Sequence, residues 1–115
     1  MDTIEFVEAV ERFLVPAAID ATLQNLSHPA GRRVPLDLRG RSDWYNKLSD
    51  EDRAHVAEIV KESVRAAVFN TFAVLDRSKK IVDSGHFELF HVDGPDRVLL
   101  NDLEQIGLNE VFNAE

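Results

Sequence analysis

The chain has 115 residues, 44 % of them hydrophobic and 30 % charged, with a formal net charge of −8 and no cysteine. That length suits one domain, 1–115, and that composition suits a folded globular protein. Disulfides and thiolate metal sites are excluded, and the acidic balance disfavours a nucleic-acid partner while favouring a basic protein.

The N-terminus, MDTIEFVEAV, lacks the basic segment of a secretory signal. No run approaches the roughly 18 apolar residues that a membrane span requires. A cytoplasmic protein with no membrane association is expected. From Asp2 to about Leu26 the apolar residues Phe6, Val10, Phe13, Ala17 and Ala21 recur at helical steps. Pro16 lacks an amide hydrogen and its ring clashes with the preceding turn, so a kink is predicted there. The segment His28–Asp43 holds two prolines, two glycines and the arginines Arg32, Arg33, Arg39 and Arg41. It reads as an irregular connection, and a connection of this length is often functional.

Ser42 is placed to cap a short helical turn reaching Leu48, which carries the only tryptophan and tyrosine, Trp44 and Tyr45. The longest helix-forming stretch follows, Ser49 to about Arg77. Ser49 suits its N-cap, and Asp50, Glu51 and Asp52 place negative charge at the positive end of the dipole. Its second half, Val64–Leu75, is apolar around nearly the whole circumference. That predicts a central helix covered on most sides.

Beyond Arg77 the period changes. Lys79–Asp83 reads as a short edge strand and Ser84-Gly85 as a turn. His86–Val92 alternates as a strand, Asp93-Gly94-Pro95-Asp96 reverses the chain, and Arg97–Leu100 returns antiparallel. Asn101 or Asp102 then starts a short helix to Ile106. A last turn returns Leu108, Val111 and Phe112 to the core.

No pattern specifies catalysis. The four histidines, His28, His55, His86 and His91, lack ligand spacing, and His86 and His91 fall on opposite faces of one strand. There is no Gly-x-Ser-x-Gly elbow and no phosphate-cradling glycine loop. Neither a metal nor a cofactor is expected. Arg65 and Asn70, near the apolar half of the long helix, read as structural.

The segments WYNKLSDEDR and FELFHVDGPDRVLLNDLEQIGLNEVFNAE, with the apolar helix between them, resemble small uncharacterised bacterial α+β domains. Some of those are of immunity-protein type. The resemblance implies two long helices, a hairpin, and an apolar C-terminal tail, here Leu108 to Phe112. It also implies an acidic protein that neutralises a basic toxin domain, and it transfers no residue roles.

The expected fold is α+β. Two long helices, the first kinked at Pro16, pack on a small antiparallel hairpin or three-stranded sheet, with short C-terminal helical turns. The first functional expectation is a non-enzymatic acidic domain that binds a basic protein, for example as an immunity-type inhibitor. Its contacts would come from Asp2, Glu5, Glu8 and Glu11, or from Asp93, Asp96, Asp102 and Glu104. The alternative is a small-molecule or anion-binding domain, with or without catalysis, using Arg32, Arg33, Arg39 and Arg41 beside Trp44 and Tyr45. A third reading is a homo-oligomer joined through the apolar half of the long helix.

Overall fold

The computed structural model describes residues 1–113 and is α+β. Helix α1 spans Thr3–Ala9, a π-helical turn covers Val10–Leu14, and α2 spans Val15–Ser27. Helices α3 (Leu36–Asn46) and α4 (Asp50–Leu75) follow, then strands β1 (Phe90–Asp93) and β2 (Asp96–Leu99), then α5 (Leu108–Asn113). The chain groups into two compact units. One comprises Met1–Leu14 with the described residues from Ala66 onward, the other Val15–Arg65.

Asp2 caps α1, its side chain accepting from the Glu5 amide at 2.8 Å. Thr3, Val7 and Val10 are then buried at three- and four-residue steps. The next buried position is Val15, five residues on, while Phe13 and Leu14 are exposed. The π turn explains this departure from the expected face. A π turn closes i to i+5 and shifts the later side chains by about one residue. It lies directly ahead of Pro16, where a wider turn relieves the clash between a proline ring and the preceding carbonyls.

In the first unit the core is aromatic. Phe72 of α4 meets Phe6 (centroids 6.2 Å, 57°) and, edge to face, Phe112 of α5 (5.6 Å, 89°). Val7, Leu108 and Phe112 are the largest fully buried side chains. The expected return of Leu108, Val111 and Phe112 to the core is found. The expected covering of Val64–Leu75 is not: Phe72 and Ala73 are buried, but Ala66, Ala67 and Phe69 are exposed.

Helix α4 ends in a Schellman arrangement. The Ser78 amide donates to the Ala73 carbonyl (2.9 Å) and the Arg77 amide to that of Val74 (3.1 Å). The residue turned into the left-handed region is Arg77, φ 63°. Glycine is usual there, and a side chain at that conformation costs roughly 1–2 kcal/mol. Next to it, the Asp76 carboxylate accepts from the Leu108 and Asn109 amides (2.9 and 3.0 Å). These are first-turn donors of α5 that the helix itself leaves unpaired.

The sheet has two strands, registered Phe90↔Leu99, His91↔Val98, Val92↔Arg97 and Asp93↔Asp96. Gly94, at φ 58°, takes the first central position of the reversal, where a type II′ turn needs positive φ. Lys79–Asp83 is irregular and forms no third strand, and residues 101–106 form turns and not a helix. Just before the ladder, the Leu100 amide donates to the Leu89 carbonyl (2.8 Å), and the Asn101 side chain joins the same segment. Its Oδ1 accepts from the Leu89 amide (2.9 Å). Its Nδ2 donates to the Phe87 and Leu75 carbonyls (2.7 and 2.8 Å). One buried amide thus does the work of a partner strand and closes a free carbonyl at the end of α4.

The second unit holds α2, α3 and the start of α4. Ser49 caps α4, accepting from the Asp52 amide at 3.1 Å. Helix α3 begins six residues before the Ser42 start expected from sequence. Pro35 is its N-cap residue, in extended backbone (φ −54°, ψ 148°) and without a side-chain cap hydrogen bond. Ser42 Oγ and Asn46 Nδ2 both donate to the Ser27 carbonyl (2.9 and 3.0 Å), tying α3 to the end of α2. Between Val15 and Arg65 only Val15 and Ser42 are buried.

Candidate functional site

The start of α1 and the residue after β2 meet in the first unit. Thr3 Oγ1 donates to the Leu100 carbonyl at 2.8 Å in a buried contact, which sets the start of α1 against the exit of β2. Beside this tie lies a groove of about 480 Å³ whose lining includes Asp2, Ile4, Arg97, Val98, Asp102 and Ile106. Ile4, Val98 and Ile106 are 45, 38 and 43 % exposed. The groove thus has an exposed apolar floor and a polar rim.

The two carboxylates at the rim are held by the backbone. Asp2 is fixed as the α1 cap. Asp102 is half-buried, and its Oδ1 accepts from the Glu104 amide at 3.0 Å. Each of these bonds leaves a second carboxylate oxygen for a ligand. One cation, Arg97, also borders the groove. Its guanidinium lies over the Phe90 ring, 4.0 Å from the centroid, a contact that uses the cation without neutralising it.

The other expected acidic contacts are dispersed. Glu5 and Glu8 are exposed on α1, and Glu11 is half-buried in the π turn. Asp93 and Asp96 face each other across the hairpin end, and Glu104 is exposed in the turn after Asp102. Ile4, Val98 and Ile106 carried no sequence signal as a group, because residues far apart in the chain build the floor.

The arginines of the alternative site lie in the second unit. Arg32 and Arg33 sit in the irregular 28–35 segment, whereas Arg39 and Arg41 are on α3, and all four are exposed. Residues two apart on a helix point to different faces, so Arg39 and Arg41 do not form one fork. Trp44 is exposed and Tyr45 half-buried on the same helix. The grooves described here and below are lined by the first unit.

Among the described residues, no group of three His, Asp or Glu side chains is placed to hold a metal ion. No helix among them is long and apolar enough to cross a membrane. Set against protein-family models, curated proteins and solved structures, the chain matches none.

Proposed function

We propose that this chain is a non-enzymatic binding domain that takes a basic, apolar-tipped segment of a partner protein into the groove between Asp2 and Asp102. An immunity-type inhibitor of a basic toxin is the specific form of that role. The observation that carries the reading is the meeting of two aspartates far apart in the chain, Asp2 and Asp102, around one exposed apolar floor. The floor supplies contact area, and the carboxylates select a cationic rim on the partner. The net charge of −8 steers such a partner from a distance, within the screening length of the salt.

The test is the double variant Asp2→Asn with Asp102→Asn. Asparagine caps a helix about as well as aspartate at Asp2, and at Asp102 its Oδ1 still accepts from the Glu104 amide, so the fold is retained while both charges are removed. A partner captured from the source cell's lysate should bind the variant on the order of tenfold more weakly at low salt, from about 1 kcal/mol or less per exposed carboxylate. The difference should fade at high salt. A partner that binds variant and parent alike at both salt concentrations removes the reading.

A further inference from the structure

A second surface of the first unit has the opposite charge. Along α4, an apolar trough is walled by Phe6, Val10, Leu14, Val68 and Leu89. It shares Thr71 and Leu75 with the next concavity, which in turn shares Val74, Ile81 and Phe87 with a third. The three, about 390, 230 and 180 Å³, adjoin one another at these shared residues. Thr71 is the one hydroxyl shared by its first two parts, and its Oγ1 is already committed to the Ala67 carbonyl at 2.8 Å. Leu14 and Ile81 stand 61 and 63 % exposed along it.

The far end is bordered by the cations Arg77, Lys79 and Lys80, with His86 beside them. Lys79 Nζ donates to a neutral group, Asn70 Oδ1, at 3.2 Å. His86 pairs with Glu88 at 3.4 Å. Among the described residues, no carboxylate pairs with Arg77, Lys79 or Lys80, in a chain with 21 acids and 13 bases. Arg77 also holds the left-handed conformation at which glycine would be unstrained. Strain of this kind gathers where a side chain has a task beyond stability.

We infer that this trough seats an amphipathic helix of a partner protein, apolar face down, with acidic residues of its first turn against Arg77, Lys79 and Lys80. Length and shape favour a helix over a small amphiphile. Ala67 to Leu75, the part of α4 along the trough, rises about 12 Å, or just over two turns. The trough is open along its length, whereas small-molecule sites enclose most of their ligand. Apolar anchors at i, i+3, i+4 and i+7 suit a groove of this form. Helices commonly carry acids in the first turn, which matches the uncompensated cations. The inference is independent of the acid-rimmed groove.

The probe is a labelled 14-residue amphipathic helical peptide with three glutamates in its first turn, compared with the same peptide carrying three lysines there. Fluorescence anisotropy should show saturable binding of the acidic peptide, at least tenfold tighter than the basic one. Lys79→Glu with Lys80→Glu should reverse that preference. Leu14→Asp and Ile81→Asp, at exposed positions, should each weaken binding tenfold or more. Arg77→Gly should raise the melting temperature by a few degrees yet weaken the acidic peptide several-fold, a combination that a purely structural residue would not give. Equal binding of the two peptides, or indifference to the lysine reversals, overturns the inference. So does saturable binding of dodecanoate where neither peptide binds, which would make the trough an amphiphile site. A dimer in sedimentation that Leu14→Asp disperses would also overturn it and assign the face to a second copy.

Discussion

Phe112→Ala is expected to remove about 3–5 kcal/mol of stability, much of the roughly 5–15 kcal/mol that a domain of this size possesses. The side chain is 2 % exposed and stands edge-on to Phe72, which also contacts Phe6. Its removal leaves a void among α1, α4 and α5 that rigid helices cannot close, so a cavity term adds to the lost burial. A thermal melt should fall by roughly 10 °C or more. Phe112→Leu keeps most of the apolar volume and loses the edge-to-face contact, so a cost of about 1–2 kcal/mol is expected. A melting temperature unchanged by the alanine would show that the aromatic cluster does not hold this unit together.

Asn101 provides the second large effect. Asn101→Leu preserves approximate size but strands the Leu89 amide and the Phe87 and Leu75 carbonyls. A fully buried group left without a partner costs about 1–3 kcal/mol; these three are only partly buried, so the total loss should be about 2–3 kcal/mol. Asn101→Asp separates the contributions. It still accepts from Leu89 but sets a carboxylate against two carbonyl oxygens, so it should be no better tolerated than leucine at neutral pH. Urea unfolding measures the loss. Amide hydrogen exchange at Leu89, faster in the leucine variant and protected in the parent, locates it. Slow exchange at Leu89 in the leucine variant would mean that another group satisfies the amide.

Where local chemistry and burial agree, the sequence is easily read. Ser49 before three acids marks the start of α4, and the tail's three apolar residues at helical spacing mark its return to the core. The hairpin turn is legible because Gly94 permits the positive φ that the turn needs and Pro95 fixes its own φ. The misread segments are those in which a distant group changes the local answer. The residues before Phe90 alternate like a strand, but beyond the Leu89–Leu100 backbone bond they are held by the Asn101 side chain. Lys79–Asp83, though strand-like in composition, has no ladder to join. Helix α3 is longer than Gly40 and its arginines suggest, and Pro35, its N-cap, makes no side-chain bond that would mark its start. Half of the candidate groove was readable as acid, at Asp2 and Asp102. Its floor was not, since Ile4, Val98 and Ile106 become neighbours only once Thr3 is joined to Leu100. The cationic end of the trough was read as an edge strand's lysines, a role that needs a strand.

The π turn ahead of Pro16 carries a consequence for insertions and deletions. Without Phe13, Val15 would fall four positions after Val10, and a regular α-helix would bury the same side chains as the present one. The proline would then sit in an ordinary turn, where its ring and missing amide cost about 3 kcal/mol. Shortening the chain by that residue should therefore be harmful alone and tolerated together with Pro16→Ala. The extra residue and the proline form a compensating pair, each acceptable chiefly because the other is present.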